Sequence, residues 1–151
     1  MKLIVQRVKY ASVTIDGKVH GKIDQGYMIL VGIQNEDTRE IVEKMANKIA
    51  KLRIFTDEED KMNLDLHQVN GSILSISQFT LYADCHKGNR PSFSHAGKPD
   101  IAKPLYLYFN DCLRKDGFCV EEGIFGADMK VELLNDGPVT IILDSDVDIR
   151  H

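Results

Sequence analysis

The run Ser77-Gln78-Phe79-Thr80 sets two hydroxyls and a carboxamide side by side. Such groups can hold a carbonyl, position a water or, if activated, attack an ester. A serine or threonine nucleophile needs an adjacent general base. The chain carries no GxSxG elbow and no evident Ser-His-Asp constellation. On residue types alone the run therefore also reads as ordinary strand hydroxyls that satisfy nearby backbone atoms.

A second anomaly follows directly. Residues 85–99 contain Lys87, Arg90 and Lys98 with His86 and His95, and no acidic residue lies between Asp84 and Asp100. The whole chain holds 19 Lys and Arg against 23 Asp and Glu, a net charge of -4. That balance argues against a surface that wraps nucleic acid, yet a local cationic loop can hold a phosphate or a nucleic-acid end. A solvated loop is the competing reading. Gly137-Pro138 is the third unusual feature, because glycine frees the backbone where proline fixes φ and removes a donor. A plain trans turn is its ordinary explanation.

The remaining reactive side chains suggest less. His20, His67, His86, His95 and His151 show no metal-ligand spacing and read as surface groups. Cys85, Cys112 and Cys119 form an odd set without a CxxC pair, so they read as reduced thiols, Cys112 in the core. Acidic clusters at residues 57–60, at Glu121-Glu122 and at Asp144, Asp146 and Asp148 keep surfaces hydrated. No metal site and no cofactor are called for.

The elements that must position these groups follow from periodicity. Alternation through Ser12, Val13, Thr14 and Ile15 into Asp16-Gly17 predicts a hairpin returning through residues 19–23. Residues 27–33 are almost wholly apolar and predict a buried central strand. Asp37-Thr38 offers capping oxygens for a helix whose Ile41, Met45, Ile49 and Leu52 share a face and which ends near Arg53. A solvated turn at residues 57–61 precedes a strand predicted over 73–81. A second helix is expected over 102–115, with Pro104 in its first turn and Gly117 stopping it. Strands at 118–120, 129–134 and 139–143 complete the chain, the last two joined by a turn at Asn135-Asp136-Gly137-Pro138.

The 151 residues are 43% hydrophobic and 28% charged, as one folded domain over 1–151 would be. Such a length can bury a core without staples. No apolar run approaches the ~20 residues of a membrane span and no signal-peptide pattern is seen, so a soluble cytoplasmic protein is expected. Strand blocks separated by two helices predict an α+β fold of mostly antiparallel sheet, curled into a partly closed β-barrel with the two helices packed on it.

In order along the chain stand Val5-Gln6-Arg7-Val8, Leu52-Arg53-Ile54-Phe55, Ser77-Gln78-Phe79-Thr80-Leu81-Tyr82-Ala83-Asp84, Arg90-Pro91-Ser92-Phe93, Phe125-Gly126-Ala127-Asp128-Met129 and Asn135-Asp136-Gly137-Pro138-Val139-Thr140. This series resembles the D-aminoacyl-tRNA deacylase family from the start of the chain to about Asp144. The resemblance implies a homodimeric esterase that removes D-amino acids from the 3′ end of tRNA. It implies that residues 77–80 form the catalytic motif and that Gly137-Pro138, cis in that family, reaches into the partner subunit's site. There it would reject L-aminoacyl-tRNA while letting glycyl-tRNA through. Lys87 and Arg90 become candidates for tRNA phosphates.

The missing base then acquires a meaning, since an aminoacyl ester carries a neighbouring ribose 2′-hydroxyl that can position water. Backbone N–H groups near Phe79 and Thr80 would serve the oxyanion. A covalent Thr80 is the rival within the enzyme reading. A nucleic-acid-binding module without turnover and a small structural homo-oligomer are the rivals outside it.

Overall fold

The computed structural model describes residues 1–150, so His151 lies outside the described residues. Strand β1 (Lys2–Ile15) pairs antiparallel with β2 (Lys18–Ile23) through its second half and with β3 (Gly26–Gly32) through its first. The Asp16-Gly17 turn joins β1 to β2, as the dipeptide predicts; both residues take positive φ, 51° and 76°. Beyond β3 lie β6 (Ser72–Ser77) and β7 (Val120–Glu122), each parallel to its neighbour. A small β4 (Phe55–Thr56) and β5 (Met62–Leu64) pair apart from this sheet.

The sheet order is β2-β1-β3-β6-β7. Its two ends meet, since His20 Nδ1 lies 2.9 Å from the Glu122 carbonyl oxygen. A Cβ on Gly21 would stand 3.3 Å from Glu121 Cβ. The result is the expected α+β, nearly closed barrel, although its parallel pairs were not legible in the pattern of residues. Parallel pairing needs crossover connections, and helices α1 (Arg39–Lys51) and α2 (Pro99–Lys115) lie within them.

Thr38 caps α1, its Oγ1 accepting from Ile41 N at 3.3 Å. Val42, Met45, Ala46 and Ile49 recur at helical spacing and are buried. Asp37, the other candidate cap, is instead committed elsewhere: its Oδ1 accepts from the buried Met1 ammonium at 2.8 Å and its Oδ2 from Gln34 N at 2.9 Å. Helix α2 starts three residues earlier than expected. Pro99 occupies its first position, where a missing N–H costs nothing, and Pro104 sits inside it. Ala102, Leu105, Tyr106, Phe109 and Leu113 form its buried face. Cys112 lies half-buried at the margin of that core, where burial pushes its thiol pKa up.

Two apolar clusters result. Leu3, Val5 and Ile29 pack with Met45, Ile49 and Phe109 of the helices. Val8, Ala11, Val13, Met28, Leu74 and Ile76 fill the inside of the curl. Strand β3 feeds both, which explains its nearly unbroken apolar run.

Strand β8 (Lys130–Asp144) corrects the sequence expectation most. Residues 129–134 and 139–143 are not two strands reversing at a turn. Residues 130–134 and 139–143 both belong to β8, followed by the short α3 (Ser145–Asp148), and both pair with β1: Val131 faces Val13, Leu133 faces Ala11 and Leu143 faces Leu3. Asn135 faces Val8 and Thr140 faces Gln6, so residues 136–139 bulge out opposite Arg7. Composition rich in Asn, Asp, Gly and Pro suits a bulge as well as a turn, and the continuous partner β1 decides for the bulge. Among the described residues no helix is long and apolar enough to cross a membrane.

Candidate functional site

Where the parallel strands β3 and β6 end, the chain opens into a cavity of about 620 Å³. Its walls include Val31, Ile76, Phe93, Tyr106, Phe125 and Met129, and its polar edge includes Ser77, Gln78, Lys98 and Asp128. Apolar walls with a few convergent polar groups are the usual make-up of a ligand site.

Strand β6 does not continue to residue 81. It ends at Ser77, and residues Phe79–Tyr82 turn into one 3-10 helix. The physical reason lies at Gln78, whose N–H still donates to Val31 O at 2.8 Å as the last ladder bond. Its carbonyl then accepts Leu81 N at 3.3 Å. The N–H groups of Phe79 and Thr80 precede the first carbonyl that this turn could offer them, as at any helix start. Ser77, Gln78 and Phe79 line the cavity. Thr80 is exposed beside it, and its hydroxyl accepts a short hydrogen bond from the Gln78 carboxamide. Phe79 and Phe93 meet edge to face at the mouth, ring centroids 5.0 Å apart.

The opposite wall is set by α2. Lys98 precedes its first turn, and Pro99 and Ala102 line the cavity, so the positive end of the helix dipole lies at the site. Tyr106 donates to Ser75 O of β6 at 2.7 Å, and burial pushes its hydroxyl pKa up.

The other expected site residues lie elsewhere. Lys87 and Arg90 are exposed on a loop whose base is closed by Asp84 and Ser92, with backbone bonds of 2.7 and 2.8 Å in the two directions. Neither lines the cavity. Gly137 and Pro138 are exposed on the β8 bulge and are not part of the cavity of their own chain. The bond between them is cis.

Sequence reasoning passed over Arg7, which organises that bulge. Only 8% exposed, its guanidinium donates from Nε to Asp136 O at 2.9 Å and from Nη1 to Ile54 O at 2.7 Å. Asn135 closes the bulge from the other side, its Oδ1 accepting Val139 N at 2.9 Å. The available signal was an arginine set among Leu3, Val5 and Val8, where alternation demands an inward residue. Phe93, Tyr106 and Phe125 were likewise missed as cavity residues; for Tyr106 the signal was its place on the apolar face of α2.

These features define an α+β enzyme scaffold with a cavity at its strand ends. Residues 4–144 match the model of the D-Tyr-tRNA(Tyr) deacylase family. A protein of Exiguobacterium sibiricum named D-aminoacyl-tRNA deacylase is 57% identical over 144 residues, which cover 95% of this chain and 99% of that one. One of the same name from Lactobacillus acidophilus is 58% identical over 144 residues, with the same two coverages. Among solved structures, the c-Myc DNA Unwinding Element Binding Protein is similar with a TM-score of 0.89 at 42% identity, over 95% of this chain and 98% of its own. A probable eukaryotic D-amino acid tRNA deacylase, only 17% identical, shares the fold with a TM-score of 0.80 over 94% and 97%. The chain belongs to the D-Tyr-tRNA(Tyr) deacylase family and is a hydrolase.

Proposed function

We propose that the chain hydrolyses the ester joining a D-amino acid to the 3′-terminal ribose of tRNA, in the cytoplasm and as a homodimer that shares its sites across subunits. The observation that carries this reading is the separation of the two motifs within one chain. Residues 77–79 form a concave wall, whereas Gly137 and Pro138 project from an edge strand with nothing of their own chain to fill. A second copy supplies the complement, and a bulge entering its cavity would occupy the space an L side chain needs. A D side chain would point away, and glycine has none to clash. Glycyl-tRNA is therefore a substrate too under this reading.

The chemistry follows from the polar edge. The ester carbonyl lies against the N–H groups of Phe79 and Thr80, each such donor being worth about 3 kcal/mol to the developing oxyanion. The ribose 2′-hydroxyl positions the attacking water. Thr80 as nucleophile is disfavoured by its partner, because the Gln78 carboxamide has no group basic enough to take the hydroxyl proton, whichever way the amide is turned. The Phe79 and Phe93 rings offer faces on which an unpaired terminal base can stack.

The test is ester loss from D-tyrosyl-tRNA, L-tyrosyl-tRNA and glycyl-tRNA, with a 2′-deoxyadenosine-ended substrate beside them. Clearance of the D and glycyl esters, survival of the L ester and slow turnover of the deoxy substrate are expected. Equal loss of D and L esters would remove the gate, and an acyl group trapped on Thr80 would replace the mechanism. A second reading, nucleic-acid binding without turnover, draws on the solved relative whose name refers to a DNA element and on the exposed Lys87 and Arg90. Tight tRNA binding with every ester intact would favour it.

A further inference from the structure

We infer that a basic groove on the far side of the Arg7 anchor binds phosphates of the RNA backbone, apart from the loop at residues 85–99. The groove encloses about 600 Å³ between the last two turns of α1 and residues 148–150. Lys44, Lys48, Lys51, Arg53 and Arg150 line it, in a chain whose net charge is -4.

The lining charges are unequal. Lys44 is engaged, pairing with Glu40 at 3.1 Å and donating to Arg150 O at 2.8 Å, which ties the tail to the helix. The one carboxylate in the lining, Asp148, accepts from Asp144 N at 2.8 Å. Lys48, Lys51, Arg53 and Arg150 have no ion-pair partner among the described residues. Lys48 and Lys51 favour the negative end of α1. That explanation does not extend to Arg53 or Arg150, which lie outside the helix. Arg53 is also held in place, its Nε donating to Asn63 O at 2.8 Å, with a short second bond to the Asn63 side chain. A guanidinium fixed by neutral acceptors keeps its full charge for an anion.

Placement selects the ligand. Lys44, Lys48 and Lys51 follow one helix face at spacings of four and three, a stripe roughly 10 Å long at 1.5 Å per residue. Arg53 precedes Ile54, whose carbonyl accepts the same Arg7 guanidinium that holds Asp136 O. The groove and the bulge are thus fixed to one buried side chain. The inference rests here on the shared-site reading above: a bulge seated in the partner's cavity brings this groove beside the RNA whose 3′ end that cavity holds.

The experiment uses the full chain carrying Lys48→Gln, Lys51→Gln and Arg53→Gln together. A charge-keeping control carries Lys48→Arg, Lys51→Arg and Arg53→Lys. For uncharged tRNA, the slope of log affinity against log salt should become shallower by about 2 to 3 in the neutral variant, at roughly 0.7 to 0.9 per phosphate. The control should keep the original slope. The ratio of kcat/KM on D-tyrosyl-tRNA to that on D-tyrosyl-adenosine should fall about tenfold in the neutral variant, because the short ester has no backbone phosphates to lose. An unchanged slope, or equal losses on both esters, overturns the groove. Protection of the tRNA complex lost equally to millimolar inorganic phosphate in wild type and neutral variant overturns it as well. If the wild type leaves every D ester intact, the proposed function falls while the slope on uncharged tRNA still decides the groove.

Discussion

The strand end at residues 77–82 and the bulge at residues 136–139 are built in opposite ways. The first is a recess: β6 stops, a single 3-10 turn redirects the chain, and residues 77–79 line a cavity. The second is a projection, four residues pushed out of a strand that pairs with β1 on both sides of them, with Arg7 and Asn135 as its two struts. A recess can tolerate change in its side chains so long as its backbone keeps its course. A projection held by two struts has less room for change, because its course depends on both of them.

The sharpest way to break that contrast is Gly137→Ala. At φ +140°, which strains any L side chain, a Cβ there would stand 2.7 Å from Val139 Cγ2 and 3.0 Å from the Val139 backbone nitrogen, so the bulge must move. A displacement near 1 Å costs on the order of 100-fold in rate, and kcat/KM on D-tyrosyl-tRNA should fall by about that much in a folded protein. Retention of full activity would show that the projection's shape is irrelevant.

Arg7→Ala comes next. It deprives the Asp136 and Ile54 carbonyls of their donor, for a loss of stability of about 2 kcal/mol. A roughly tenfold loss of activity should accompany it as the bulge loosens. Denaturant titration and steady-state kinetics on the same preparation separate the two effects.

Neutralising Lys87 and Arg90 together is expected to act on neither the recess nor the projection. Binding of tRNA should weaken and its salt slope should flatten by roughly 0.9 for each phosphate contact removed. An unchanged slope would return the loop to a merely solvated role. The smallest effect is reserved for Thr80→Ala, which removes one neutral hydrogen bond to Gln78 and should cost about 0.5 to 1.5 kcal/mol. A loss of several orders of magnitude would make the hydroxyl a nucleophile and erase the distinction between backbone and side chain.

How much of this was legible in the residues varies along the chain. Local signals carried through: Asp16-Gly17 made its hairpin, Thr38 capped α1, and the apolar run after Gly26 became a doubly buried strand. Ser77, Gln78 and Phe79 reached a cavity as their place at a strand end suggested. What failed depended on partners distant in sequence. Nothing in Asn135-Asp136-Gly137-Pro138 says whether the chain reverses, since β1 alone decides that. Nothing in Phe79-Thr80-Leu81-Tyr82 shows that the ladder ends at Gln78. Pro104 drew attention as a helix start, whereas Pro99 holds that place.

The pairing of residues 2–14 with residues 130–144 has a consequence for how the chain is made. The ribosome releases β1 long before β8 exists, so one edge of β1 stays bare while the hairpin, both main helices and the parallel strands are already available to it. Bare edges invite wrong partners, and closing so long a loop slows folding more than it weakens the product. Residues 136–139 are among the last to emerge, and they take their place only as β8 zips onto β1. A molecule that displays the bulge has therefore finished its sheet, and residues 136–139 are the sign that β8 has been added to it.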